Sequence, residues 1–338
     1  MWANNNLLLH FELSTRCNAY CPGCPRYVNS STVLNPNLLQ DNVSLEQFKS
    51  WCSPELLNNR VKRLMFCGNY GDPIANPEIV EILDYAVTHL NKDAYIIVNT
   101  NGGLGSTKQW KAIGNILKNN NKYQIFFSVD GLEDTNHMYR RGVLWDRIDA
   151  NIRAYTSTGA KGMWDYLVFE YNKHQLEQAK AQCKEWGLQD IRFKKPYGFF
   201  WDNKYYKRGV YDKDGKLLYK LSITPDAIDT VKDTVDINNP IRVKQTVEQK
   251  KFSCKSLQSW GTELMVHVDG TVFPCCYIGD LYNRYVEDSS KQELKSLFNV
   301  DHMKLQNKSF DSILNYFDSI MWKTFTPGIC NKECSIEH

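Results

Sequence analysis

The sequence predicts an α/β fold built on a parallel sheet. Two observations predict it: six short β-rich runs between residues 7 and 195, and helical stretches with start and stop signals between them. The runs are Leu7–Leu13, Val61–Cys67, Ala94–Asn99, Tyr123–Val129, Tyr166–Glu170 and Asp190–Lys194. Strands that alternate with helices connect through right-handed crossovers, so the expected sheet is an open or closed barrel.

Four of the intervening helices have local signals. Ser44 with Gln47 makes a capping box, Asn76-Pro77 reads as a cap and first position, and Ser106 reads as a cap. Beyond Asn76, the apolar residues Ile79, Leu83, Ala86, Val87 and Leu90 fall on one helical stripe. Gly187 is placed to stop the helix that carries Ala179, Cys183 and Trp186. In such sheets chemistry sits at the carboxyl ends of the strands.

Composition narrows the class. A chain of 338 residues has a prior of about two domains, and its 42% hydrophobic content supports a sizeable core. A net charge of +3 is too small to imply nucleic acid. No basic start leads into a long apolar run, which argues against a signal peptide or membrane span. Eleven cysteines without a secretory signal point to a reducing compartment, the cytoplasm, and to metal ligation more than disulfides.

The first strand-like run ends in FELSTRCNAYCPGC, where Cys17, Cys21 and Cys24 are spaced C-x3-C-x2-C. Three thiolates on one short loop can hold three irons of a [4Fe–4S] cluster and leave the fourth open. A disulfide framework or a zinc knuckle is the alternative, although zinc would want a fourth local Cys or His. With the motifs after it, the loop resembles the radical S-adenosylmethionine (SAM) superfamily. That resemblance implies a partial (β/α)6 TIM-like barrel, SAM chelated on the open iron, and one-electron cleavage to methionine and a 5′-deoxyadenosyl radical.

The resemblance continues along the strand ends. Gly71-Asp72-Pro73, in CGNYGDP, resembles a Gly-Glu-Pro segment whose backbone holds the SAM amino group, although a Gly-Asp-Pro turn alone is commonplace. Glycine there would let an ammonium approach main-chain carbonyls. Thr100-Asn101-Gly102 resembles a segment near the sugar, where Asn101 is the expected contact; its plain alternative is a turn. By the same resemblance Ser128 binds ribose and Arg140 pairs with the methionine carboxylate through its planar fork, with Arg141 as the alternative. One departure stands out: relatives place an aromatic residue immediately before the third cysteine, beside the adenine, and this chain has Gly23. Tyr20 supplies the ring, or only backbone touches the base.

A second set opens with Cys254, Gly270 and Cys275, spaced C-x15-G-x4-C like the SPASM and Twitch extensions of that superfamily. Asp269-Gly270 between Glu263–Val268 and Thr271–Phe273 signals a hairpin. A helix is expected near Lys291–Phe298. Cys254, Cys275, Cys330 and Cys334 can saturate a second [4Fe–4S] cluster of the single-cluster Twitch type. Structural zinc on the same thiolates, and Cys276 in place of Cys275, are the alternatives. Cys52, Cys67 and Cys183 read as small buried apolar residues.

The expected organisation is a core barrel over 1–195, a connector over 196–250 and a small α+β Twitch/SPASM-like domain over 251–338. The connector carries YGFFWDNKYYKRG and a hairpin signal at Asp214-Gly215. Its aromatics interleaved with Lys204, Lys207 and Arg208 would suit nucleic acid, but a partly buried connector is the commoner meaning. Strand one begins within about ten residues of the start, so no fused leader-peptide-binding domain is expected. The resemblance implies a monomeric oxidoreductase that uses two [4Fe–4S] clusters, SAM and a donor such as flavodoxin or ferredoxin. It would abstract hydrogen from a peptide, protein or small polar substrate, then oxidise or cross-link it. A non-catalytic iron–sulfur or zinc scaffold and a nucleic-acid-modifying enzyme are the other readings.

Overall fold

The computed structural model describes residues 6–196, 199–201, 204–205, 207–224, 257–258, 261–283 and 289–320. Six parallel strands run in sequence order through one sheet: β1 (Leu7–Phe11), β2 (Val61–Phe66), β3 (Tyr95–Thr100), β4 (Tyr123–Ser128), β5 (Gly162–Leu167) and β6 (Asp190–Lys194). They form the expected partial barrel, which stays open beyond β6. The helices of the crossovers are α1 (Leu45–Trp51), α2 (Pro54–Asn59), α3 (Ile79–His89), α4 (Thr107–Leu117), α5 (Trp145–Thr156) and α6 (Leu176–Glu185).

Local signals explain most boundaries. Ser44 and Gln47 form the reciprocal capping box, and Ser106 accepts the Gln109 N–H. Two expectations shift. The third helix begins at Ile79, because Asn76 is spent on the Glu78 N–H and on the carbonyls of Leu13 and Val43, tying three loops together. The fifth strand starts at Gly162 and not at Tyr166: Asp165, which interrupts the apolar pattern, sits inside the strand, where Arg192 grips it with two bonds of 2.7 and 2.9 Å. Phe169, read as part of that strand, instead packs with Phe199, Val210, Leu221 and Ile223.

Alternation sorts the strand residues between two faces. Phe11 and Phe66 face the helices, with ring centroids 5.4 and 6.0 Å from Phe48 on α1, and Phe127 meets Trp110 of α4 at 5.4 Å. These rings are buried, and each such burial stabilises the fold by roughly 1.5–3 kcal/mol. The opposite face is polar, carrying His10, Arg63, Asp165 and Arg192. Arg63 pairs with Glu263 at 2.7 Å and Lys194 with Asp165 at 2.8 Å.

After β6 come β7 (Phe200–Trp201) with β8 (Lys204–Tyr205), then β9 (Arg208–Tyr211) paired antiparallel with β10 (Leu217–Leu221) across the Asp214-Gly215 turn. Past these, β11 (Leu257–Gln258), β12 (Gly261–Val266) and β13 (Val272–Phe273) extend the barrel sheet. The Asp269-Gly270 hairpin joins β12 and β13 as expected, but β12 also lies parallel to β1, from Leu7 opposite Thr262 to Phe11 opposite Val266. Helices α7 (Cys276–Asn283), α8 (Ser289–Leu297) and α9 (Phe310–Ile320) follow, and α9 buries Phe310, Ile313, Leu314 and Phe317 in the same core. No helix among the described residues is long and apolar enough to cross a membrane.

Candidate active site

The loop after β1 is folded by its own backbone. Cys24 N–H donates to the Cys21 carbonyl and Tyr27 N–H to the Cys24 carbonyl, both at 3.1 Å, so successive turns bring the thiols together. The loop is then clasped by the one after β2. Asp72 N–H donates to Arg16 O at 2.9 Å, and Arg26 reaches the Tyr70 carbonyl at 3.0 Å. A Cβ on Gly71 would lie 2.0 Å from the Ser14 carbonyl oxygen. Glycine is therefore demanded by the passing backbone, a tighter constraint than the ligand approach that motivated it.

Cys17, Cys21 and Cys24 line a cavity of about 170 Å³ together with Gly71, Asp72, Asn101, Ser128 and Arg140. Residues from the ends of four strands thus meet in one place. The Asp72 carboxylate is committed to the protein, accepting from Thr100 Oγ1 and from the N–H groups of Ile74 and Asn101 at 2.9–3.0 Å. Asn101 is committed as well: its amide donates to Asn18 Oδ1 at 2.8 Å and to Cys17 Sγ at 3.5 Å, and its oxygen accepts the Gly103 N–H. Its side chain orients the first cysteine. Ser128, the last residue of β4, lines the cavity wall.

Arg140 and Arg141 diverge. Arg140 Nε donates to the fully buried carboxylate of Asp130 at 2.6 Å, and Nη1 lies 3.6 Å from Cys21 Sγ. Arg141 turns away to the Tyr211 carbonyl. Tyr20 does not line the cavity: it is 39% exposed, with its ring 5.3 Å from that of Tyr27 and against Gly142.

Sequence reasoning passed over Asp130, Arg26, Tyr139 and Cys67. An acidic residue directly behind β4 with an arginine ten residues on was the available signal for Asp130. Cys67, read as a buried apolar residue, lines the cavity because it stands one residue beyond the end of β2. Burial pushes the Cys67 and Cys24 thiols up to about 12, and raises Cys17 and Cys21 likewise. Such thiols hold their protons until a metal cation displaces them. The Ala19 N–H, 3.3 Å from Cys17 Sγ, and the Arg140 guanidinium then suit the resulting thiolates.

The two adjacent cysteines of the second set separate. Cys275 Sγ accepts the Ile278 N–H at 3.5 Å, whereas Cys276 comes together with His10 and Glu263, their ligand atoms within 4.8 Å of one another. Cys254, Cys330 and Cys334 lie outside the described residues.

A parallel barrel whose strand ends gather three thiols is the frame of a barrel enzyme with a thiolate-held metal centre. A family model, the Radical SAM superfamily, matches residues 11–180, half of the chain, and the chain belongs to that superfamily. Solved structures share the fold at low identity. Streptococcus suis SuiB bound to S-adenosylmethionine aligns over 81% of this chain and 61% of its own, with 14% identity and a TM-score of 0.51. The chain thus spans about three fifths of SuiB. SuiB bound to its precursor peptide SuiA aligns over 86% and 67%, with 15% identity and a TM-score of 0.53. Native anSMEcpe with bound AdoMet aligns over 96% and 86%, with 17% identity and a TM-score of 0.56. No curated protein matches the sequence.

Proposed function

We propose that Cys17, Cys21 and Cys24 hold a [4Fe–4S] cluster with SAM on its open iron, and that the enzyme abstracts hydrogen from a peptide, protein or small polar substrate. The observation that carries this is the gathering of three thiols, Ser128 and an arginine held by Asp130 in one cavity. When bound, cluster and SAM supply a 5′-deoxyadenosyl radical by one-electron reductive cleavage. Arg140 is suited to the SAM carboxylate because Asp130 holds its Nε and aims the remaining donors into the cavity. Ser128 is suited to the ribose. Asn101 and Asp72 act through the loops they fix.

The reading extends to the C-terminal part. Cys254, Cys275, Cys330 and Cys334 would hold an auxiliary [4Fe–4S] cluster in a Twitch-type domain over 251–338, serving oxidation or cross-linking. The position of β12 beside β1 supports an auxiliary site near the barrel mouth. The polar inner face of the sheet, with Arg63–Glu263 and Asp165–Arg192, favours a polar substrate over an apolar one. Peptides bound to SuiB and anSMEcpe favour a peptide among the polar candidates.

The test uses anaerobic, reduced protein. Substrate deuterated at the attacked carbon should pass deuterium into 5′-deoxyadenosine, and the variant with Cys17, Cys21 and Cys24 all replaced by Ala should form none. S-adenosylhomocysteine as the sole SAM product would sink this reading.

A further inference from the structure

His10 stands on the polar face of the sheet, 4% exposed, with its two ring nitrogens in different circumstances. Nε2 lies 2.8 Å from the Cys67 carbonyl oxygen. A carbonyl can only accept, so Nε2 carries the proton. That leaves Nδ1 with its lone pair, buried and with no hydrogen-bond partner among the described residues. Buried polar atoms are rarely left in that condition unless something else is meant to meet them.

Two further ligand groups converge on this ring. Strand β12 runs parallel to β1 with Glu263 opposite Leu8 and Met265 opposite His10, so alternation sets Glu263 on the same face as His10. Cys276 opens α7, where its neighbour Cys275 takes up the Ile278 N–H, and the two thiols part. The ligand atoms of His10, Glu263 and Cys276 lie within 4.8 Å of one another, although they come from three elements far apart in sequence.

The donor set is one imidazole nitrogen, one carboxylate and one sulfur, which suits a borderline cation such as Zn2+ and not a hard one such as Mg2+ or Ca2+. Its surroundings are those of a ligating set. A metal-bound imidazole commonly donates its other N–H to a backbone carbonyl, as His10 does to Cys67, and Arg63 Nη2 steadies the Glu263 carboxylate at 2.7 Å. Three protein ligands leave the fourth position of a tetrahedral ion to water. Cys67 itself lines the cavity, so this group backs onto the cavity wall.

We infer that His10 Nδ1, the Glu263 carboxylate and the Cys276 thiolate bind a single Zn2+ ion, which fastens β1, β12 and α7 together behind the cavity. Binding releases the Cys276 proton to solvent. The site shares no ligand with either proposed cluster.

In the experiment, full-length, anaerobically reconstituted protein is mixed with one equivalent of Zn2+ and desalted. It is then analysed for zinc and iron, by zinc-edge X-ray absorption and by circular dichroism. Wild type should keep one zinc beside its iron, with one sulfur at about 2.3 Å and nitrogen or oxygen at about 2.0–2.1 Å. Cys276→Ala and His10→Phe should each weaken zinc, titrated against a competing chelator, by roughly a hundredfold or more, the top of the range for losing even an outer partner of a ligand. Iron content should stay at the wild-type value. Phenylalanine keeps the ring's shape without the lone pair. Should both variants misfold, the absorption spectrum of the wild type decides, because its single sulfur is read on the intact protein. No retained zinc, a shell of four sulfurs, or unchanged zinc affinity in either folded variant would overturn the site. Loss of iron from folded Cys276→Ala would overturn it too, since Cys276 would then be a cluster ligand.

Discussion

The Asp130–Arg140 pair gives the sharpest quantitative test of how the cavity is held. Asp130 is fully buried, and among the described residues its carboxylate accepts, besides Arg140, only the Leu167 N–H, at 2.6 Å. Arg140→Met leaves that carboxylate in an apolar surround with half its partners gone, a change that costs about 3–5 kcal/mol. With an unfolding entropy of about 2.1 cal/mol/K per residue over the whole chain, 3 kcal/mol corresponds to a fall of about 4 °C in Tm. Asp130→Asn keeps an oxygen for Leu167 but leaves the guanidinium without its counter-charge. The double variant removes both charges, so it should be more stable than the sum of the singles implies, by about 2–3 kcal/mol. Urea unfolding of wild type, both singles and the double, all at one pH, measures this coupling. Additivity within about 0.5 kcal/mol would show that the contact does not orient Arg140 energetically, and the role given to Asp130 would fall.

Three further outcomes are expected. Reconstituted protein should carry about eight irons, from two four-iron clusters, and elemental analysis with X-ray absorption showing four irons and one zinc on four sulfurs would return the second cysteine set to a structural zinc. Gly71→Ala should cost about 1–3 kcal/mol and lower iron loading, since its Cβ meets the Ser14 carbonyl; full iron content at unchanged stability would contradict the close approach. Glu12 is raised to about 7 by burial, against the opposing pull of His267. Its stabilising contribution is complete below the unfolded value near 4.5 and is lost as pH rises towards 7, because the unfolded chain releases the proton first. Glu12→Gln should therefore gain on wild type by roughly 3 kcal/mol between those limits, read as a pH-dependent difference in urea midpoints; a constant difference would refute it.

What the sequence made legible was local. The cysteine loop, the Ser44 and Ser106 caps and both hairpins depend on residues a few positions apart, and all were readable. Contacts between distant residues were not. Asp165 disguised the start of β5 because its charge is neutralised by Arg192 and Lys194 from the next strand. Tyr20 was chosen by its place beside Cys21, and its packing on Tyr27 and Gly142 was not visible in the sequence. Cys67 was hidden by its apolar neighbours, since one residue of register decides whether a thiol faces a helix or a cavity.

The pairing of β12 with β1 has a consequence for biogenesis. Leu7 finds Thr262 only after about 250 intervening residues have been made, which at about 5–20 residues per second takes roughly 10–50 s. Until then LLLHF, the strand from which the cysteine loop springs, has one side of its backbone unpaired, the kind of edge that recruits other chains. Fragments ending before residue 250 should accordingly aggregate and load iron poorly on the first loop, although every cysteine of that loop is present; a soluble fragment with a fully loaded loop would contradict this. Because β12 completes the wall that the first thiols stand on, the loop's readiness for iron would be timed by the synthesis of β12 and not by the appearance of its ligands.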